Sequence, residues 1–106
     1  MPKYLFEASY TTEGVKGVAS KGGSARRDVL ENLFQASGGK MEGFYFAFGE
    51  SDAYVFGDLP NNEAAVAIAL NVNQAGGATV KTVVLLTPEE VDAAAEASVE
   101  YRPPGS

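Results

Sequence analysis

The sequence predicts an α+β fold in which helices cover one face of a single antiparallel sheet. Three observations carry this prediction. Apolar and polar residues alternate from Lys3 to Tyr10, as in a half-buried strand. Two further β-prone runs, Met41 to Phe48 and Asp52 to Leu59, are separated only by a short turn of glycine and polar residues, which is typical of a hairpin. An amphipathic helical pattern, Ser24 to Ser37, lies between the first strand and this hairpin.

The first half of the chain predicts a strand followed by helical segments. The hydroxyl of Thr11, directly after the first strand, can cap a short helical turn, which the pair Gly22-Gly23 interrupts. The longer helix restarts at Ser24, with apolar residues at positions 29, 30, 33 and 34. The pair Gly38-Gly39 supplies its left-handed end.

The second half predicts the hairpin, a helix, a strand and a short acidic helix. We expect the hairpin at the centre of the sheet. A helix starts with Pro60 to Glu63 and ends at Gly76-Gly77. The run Thr79 to Leu86 is the last main strand, and Thr87 to Glu90 reads as a capping box with proline at the first helical position. The main elements follow the βαββαβ order of ferredoxin-like domains, with both helices on one face of the sheet.

Composition indicates one folded domain over residues 1–106, of which 101–106 are a C-terminal tail. Hydrophobic residues make up 45% of the 106 residues and charged residues 21%, as in ordinary globular proteins. The net charge of −6 disfavours nucleic acid and anionic membranes as partners. The segment Met1 to Glu7 meets an acid too early for a signal-peptide core, so we expect a cytoplasmic protein.

The chain contains no cysteine and no histidine, which excludes several classes of chemistry. Thiolate nucleophiles, histidine bases, ordinary zinc sites and histidine-ligated haem all need one of these residues. Carboxylates, arginine, lysine, tyrosine and hydroxyls remain available. The acidic residues after Pro88 fit a helix N-terminus and a solvated face, so we predict no metal site. We also predict no cofactor.

The uncovered face of the predicted sheet is also apolar. In the run after Gly43, the phenylalanines Phe44, Phe46 and Phe48 point to one side, while Tyr45 and Ala47 point to the other. Because large apolar faces seldom remain in contact with water, we expect this face to pack on a second copy. The predicted partner is therefore the chain itself, as a homodimer or higher oligomer.

Short motifs follow one another in a fixed order along nearly the whole chain. They are Ser9-Tyr10-Thr11 with Glu13-Gly14, Gly22 to Arg27, Gly38-Gly39-Lys40, Phe44-Tyr45-Phe46 with Gly49 and Asp52, Leu59-Pro60, Leu85 to Val91, and Tyr101 to Pro104. This ordered set resembles the GYD domain family, small bacterial and archaeal proteins mostly without an assigned activity. The resemblance implies the dimeric α+β barrel type of ferredoxin-like fold. That group includes cofactor-free monooxygenases, small isomerases, haem enzymes and ligand-sensing domains, so the resemblance implies fold more than function.

The chain departs from this family at the Gly-Tyr-Asp element that gives the family its name. The element reads Gly49-Glu50-Ser51-Asp52, with Ser51 where the resemblance would place tyrosine. Any role of that tyrosine ring is either missing here or falls to Tyr54 or Tyr45.

Asp52 is the candidate catalytic residue. A carboxylate at the start of a strand, after a tight turn, can act as a general base in a cleft between sheet and helices. It can equally accept hydrogen bonds from turn amides, as aspartate in turns often does.

Arg26 and Arg27 occupy the first turn of a helix, where the helix dipole disfavours cations. With the amides of the preceding Gly22-Gly23-Ser24 they could hold an anion, which makes Arg26 a candidate ligand-binding residue. Ion pairing with nearby acids such as Asp28 is the alternative.

Tyr10, Tyr45 and Tyr54 lie on strands that we expect to be neighbours, and they complete the candidate ligand-binding set. Clustered phenols can bind or polarise a small aromatic or carbonyl compound, and packing in the core or interface explains them equally well. Glu7 and Lys81 are either a buried pair beside the cleft or two exposed strand charges.

Three functions remain open at this point. We predict an oligomeric protein that binds a small organic molecule between sheet and helices. The enzyme alternative, taken from the resemblance, is a cofactor-independent monooxygenase or isomerase with Asp52 as base and Tyr45, Tyr54 or Arg26 stabilising an enolate-like anion. The remaining alternative is a structural or assembly protein without a ligand.

Overall fold

The computed structural model describes residues 1–105 and has the predicted α+β, ferredoxin-like architecture. Eight elements follow one another in the order βααββαβα. They are β1 (Lys3–Tyr10), α1 (Thr12–Lys21), α2 (Gly23–Ala36), β2 (Lys40–Phe46), β3 (Ala53–Asp58), α3 (Asn62–Ala75), β4 (Ala78–Leu85) and α4 (Pro88–Glu96).

The four strands form one antiparallel sheet in the order β2-β3-β1-β4. The hairpin of β2 and β3 therefore does not form the centre of the sheet, and that part of the prediction is wrong. The two inner strands are β1 and β3, which pair Phe6 with Val55 and Ala8 with Ala53, all of them buried. Strand β2 has no buried residue, and its register shifts next to Glu42, as is common in edge strands.

The core lies between the sheet and the helices. Phe6 of β1 meets Phe34 of α2 edge to face, with ring centroids 5.8 Å apart. The buried Tyr4 donates its hydroxyl to Oδ1 of Asn62, at the start of α3, at 2.6 Å. These contacts hold α2 and α3 on the same face of the sheet, as predicted, and the opposite face, here called the open face, is not covered by either of them.

The first crossover contains two helices rather than a helical turn and one helix. Thr11 caps α1 by accepting a hydrogen bond from the amide of Gly14, as its hydroxyl predicted, but α1 continues for ten residues to Lys21. The break comes at Gly22, whose φ of 89° is open to glycine and strained for other residues. It turns α2 away from α1 and opens a space between them.

The last helix begins with the predicted capping box. The Thr87 hydroxyl accepts from the Glu90 amide, and the Glu90 carboxylate accepts from the Thr87 amide, both at 3.0 Å. α4 contains no buried residue. Within residues 1–105, no helix combines the length and the apolar character needed to cross a membrane.

Candidate functional site

A cleft of about 450 Å³ opens on the helix side of the molecule, between α1, α2 and the end of α3. Each helix lines it with one face. α1 contributes Gly14, Gly17, Val18 and Lys21, and α2 contributes Ala25, Arg26, Val29, Leu30 and Leu33. These positions follow the spacing of residues on one side of a helix. Tyr10 of β1, Gly22, the end of α3 (Asn71, Val72, Ala75) and the start of β4 (Gly77, Ala78) complete the lining, which is mostly apolar.

Two hydrogen bonds from Thr11, just before α1, fix this helix as a wall of the cleft. The Thr11 amide donates to the carbonyl of Gly77 at 3.0 Å, and the Thr11 hydroxyl donates to the carbonyl of Gly76 at 2.8 Å. Gly14 lies so close to this turn that a Cβ atom there would collide with the Gly77 carbonyl oxygen. The start of α1 is thus held against the α3–β4 turn through backbone atoms.

Arg26 is the charged residue at the bottom of the cleft. Its Nε atom is buried and has no hydrogen-bond partner, and its guanidinium is in no ion pair within residues 1–105. Arg26 and Tyr10 also line a small void of about 20 Å³ beneath the cleft, which reaches core residues such as Phe6 and Ile68. Leu30 and Val72 also line both spaces, so these four side chains lie between the cleft and the void.

Arg27, the next residue along the chain, has a different environment. Its side chain is exposed and donates to Oδ1 of Asp28 from Nη2 at 3.1 Å and from Nε at 3.2 Å. The ion-pair alternative thus describes Arg27, whereas Arg26 has no such partner.

Tyr10 packs beside Arg26 and against Phe46, with ring centroids 6.3 Å apart. Burial raises the pKa of the Tyr10 phenol above its usual value of 10.0. Arg26 lowers this pKa in part, through its charge and through a side-chain hydrogen bond to the phenol, and the Asp52 charge raises it. The phenol is therefore protonated at neutral pH and available as a hydrogen-bond donor.

Asp52 lies just before β3 and holds the ends of the strands together. Its Oδ2 accepts a hydrogen bond from the Tyr10 amide at 2.8 Å, and its own amide donates to the Ala8 carbonyl at 2.8 Å. It is not among the residues that line the cleft. This arrangement matches the structural alternative for Asp52, and its role as a base stays a prediction.

The three candidate tyrosines lie on different sides of the sheet. Tyr10 faces the helices, whereas Tyr45 and Tyr54 are cross-strand partners on the open face. Tyr45 is 66% exposed and stacks on Phe56. The structure thus brings Tyr10 and Arg26 together and places Tyr45 and Tyr54 elsewhere.

Two other expectations involve positions away from the cleft. Glu7 and Lys81 are cross-strand partners on the open face, so they are strand charges rather than a pair beside the cleft. Ser51, which stands where the family resemblance would place tyrosine, is buried, with 5% of its surface exposed.

Sequence reasoning missed the contribution of α1 to the cleft. Gly14, Gly17, Val18 and Lys21 share one helical face, and that spacing was visible in the sequence. The sequence predicted only a short helical turn before Gly22-Gly23, and a short turn does not present a continuous face from Gly14 to Lys21. Within residues 1–105, no group of three or more metal-ligating side chains is close enough to hold an ion.

Comparison with known proteins identifies the family. The model of the GYD domain matches residues 4–95, which covers β2 to β4, α1 to α3, and all but one residue each of β1 and α4. Neither the curated proteins nor the solved structures contain a significant match to this chain. With the family model matching most of its length, the chain belongs to the GYD domain family.

Proposed function

We propose that this protein binds a small organic molecule in the cleft between α1, α2 and α3. The buried and unpaired Nε atom of Arg26 is the observation that carries the proposal. A buried N–H group without an acceptor costs about 1–3 kcal/mol, so a ligand that supplies the acceptor recovers this energy. A group with this cost is expected where a ligand binds.

The size and lining of the cleft support the same function. Its volume of about 450 Å³ falls within the range of ligand sites, roughly 300–1,000 Å³. Val18, Val29 and Leu33 present apolar surface to it. The few polar side chains are those of Arg26, Tyr10, Lys21 and Asn71. A mostly apolar pocket with a few converging donors is the usual composition of a small-molecule site.

The test is a fragment screen by NMR on the 15N-labelled protein, using a library that contains acids, amides and neutral compounds. We expect fragments to shift the amide signals of residues that line the cleft. Gly17→Phe should abolish these shifts, because position 17 lies on the cleft face of α1 and a Cβ there meets no atom within 4 Å. Ser20→Phe is the matched control, since Ser20 is exposed on the same helix and does not line the cleft.

Two results would overturn the proposal. One is a screen in which no fragment shifts the signals of the cleft residues. The other is binding that persists unchanged in Gly17→Phe, which would place the binding elsewhere on the protein.

We also propose that two copies associate through the open face. Leu5, Tyr54 and Phe56 are apolar or aromatic residues on this face, and the exposed Tyr45 and Val83 extend it. Its charges balance, because three lysines and three acids share it: Lys3, Lys40, Lys81, Glu7, Glu42 and Asp58. A neutral face on a chain of net charge −6 can meet a second copy without the repulsion that the rest of the surface would cause.

A further inference from the structure

The bottom of the cleft offers hydrogen-bond donors and no carboxylate. Arg26 brings a permanent positive charge and an unpaired N–H group, and the phenol of Tyr10 lies beside it. Within residues 1–105, no aspartate or glutamate lines the cleft. The charge that Arg26 carries into this space is therefore not balanced by an ion pair from the protein.

A second cation lies along the same face of α1. Lys21 lines the cleft and is exposed, which allows its flexible side chain to reach over the opening. Arg26 and Lys21 are the only charged residues among those that line the cleft within residues 1–105. The local charge is thus positive, although the chain as a whole is acidic.

The remaining lining limits the ligand further. The groups around Arg26, such as Ala25, Leu30 and Val72, are apolar and offer no donors for a strongly hydrated ion. A bare inorganic anion would lose its water without gaining enough hydrogen bonds on these sides. A ligand with an apolar body gains free energy from the same surface.

We propose that the ligand of this cleft is an organic carboxylate, whose carboxylate group pairs with the Arg26 guanidinium at the bottom while its apolar body lies between α1 and α2. This inference rests on the proposed function, because it concerns the chemical class of the molecule bound there. Arginine suits this task since its planar fork matches the two oxygens of a carboxylate. Tyr10 donates to the same group through its phenol, and Lys21 adds attraction at the opening.

The test compares two probes of the same shape that differ in charge, 3-phenylpropanoate and 3-phenylpropanamide, by calorimetric titration at neutral pH. The acid should bind at least about tenfold more tightly than the amide, the effect expected of one hydrogen bond between charged groups. Arg26→Gln should reduce this ratio to about one by weakening binding of the acid alone.

Matched variants separate the role of Arg26 from a general effect of charge. Arg27→Gln removes an equal charge one residue away, outside the cleft, and should leave the ratio unchanged. Arg26→Lys keeps the charge but loses the fork, and should give an intermediate ratio. Circular dichroism of each variant establishes that it is folded. The acid and the amide are also compared on the unaltered protein, and that comparison does not depend on any variant.

The outcomes distinguish this inference from the proposed function. Equal affinity for both probes, with signal shifts at the cleft, would overturn the carboxylate inference and leave small-molecule binding intact. An acid preference that survives in Arg26→Gln would also overturn it. Absence of binding for both probes, together with a fragment screen that finds no ligand at the cleft, would overturn both proposals.

Discussion

Asp52 lies where the sequence predicted a catalytic base, and its hydrogen bonds are to backbone groups. It accepts from the Tyr10 amide at the end of β1 and is fixed by its own amide to Ala8. These two hydrogen bonds connect the start of β3 with Tyr10, which lines the cleft. Asp52 therefore affects the cleft only indirectly, through the position of Tyr10.

Substitution of Asp52 should affect stability according to the acceptor that remains. We expect Asp52→Ala to lower the free energy of unfolding by about 1–3 kcal/mol, because the Tyr10 amide loses its partner in a part-buried position. Asp52→Asn keeps an acceptor oxygen and should cost about 1 kcal/mol or less. Urea denaturation of the three proteins measures both differences. Equal losses for alanine and asparagine would contradict a role as amide acceptor.

Tyr10 should give the protein a stability that depends on alkaline pH. Its pKa is raised by burial, so above pH 10.0 the unfolded chain releases the phenolic proton before the folded protein does. The contribution of Tyr10 is then complete below pH 10.0 and is lost as the pH rises through the pKa of the folded state. Tyr10→Phe should therefore lose less stability over this alkaline range than the unaltered protein.

A difference titration isolates this group. The tyrosinate absorbance of the protein minus that of Tyr10→Phe should have its midpoint above pH 10.0, and a bound carboxylate should move the midpoint further up. A midpoint at or below pH 10.0 would show that Arg26, rather than burial, dominates the environment of this phenol.

At the scale of elements, helix α1 is where structure and sequence pattern differ most. Its two glycines, Gly14 and Gly17, have low helical propensity, and α1 has no buried residue of its own. Local pattern alone therefore predicts only a short turn there. The helix is stabilised by the hydrogen bonds from Thr11 to Gly76 and Gly77, which join segments far apart in sequence.

The same contrast explains which other elements could be predicted. Alternation in β1, the glycine pair after α2 and the capping box of α4 are local signals, and all three were correct. The edge position of β2 depends on strand order, and the separation of Tyr10 from Tyr45 depends on the pairing register. Local patterns encode neither. Arg26 was predicted as an anion site from its place in the helix, but its lack of a partner needed the tertiary structure.

The two glycines of α1 should respond oppositely to alanine. Gly17→Ala adds a methyl group that meets nothing within 4 Å and favours the helix, so we expect a gain of about 0.5–1 kcal/mol in the free energy of unfolding. Gly14→Ala forces a methyl group onto the Gly77 carbonyl and should cost about 1–3 kcal/mol despite the same gain in propensity. Chemical denaturation followed by circular dichroism measures both, and each variant controls for the other. A gain for both would contradict the close approach of α1 to the α3–β4 turn.

The whole molecule is more extended than a single compact domain of its length. Its radius of gyration is 16.7 Å, and its principal extents are 55, 33 and 22 Å. A compact chain of this size would have a radius of about 13 Å. Helix α4 contributes to the extension, because it has no buried residue and its Val91 is exposed. Together with the open face, this shape leaves apolar surface that the chain alone does not cover.

The proposed homodimer gives a prediction for the mass in solution. Light scattering at micromolar concentration should report twice the mass of the chain, because the open face carries exposed apolar side chains, is balanced in charge and is not covered by α2 or α3. The double variant Tyr45→Glu with Val83→Glu should be monomeric, since a symmetric interface would receive these carboxylates from both copies.

Val66→Glu is the matched control for this experiment. Val66 is exposed to a similar degree but lies on α3, on the opposite side of the sheet, so its substitution adds a negative charge without touching the open face. It should leave the mass unchanged. Because the cleft also lies on the helix side, the monomeric double variant should bind carboxylate probes with the affinity of the dimer. A monomeric mass for the unaltered protein would refute association through the open face, and dissociation in Val66→Glu would place the interface on the helices instead.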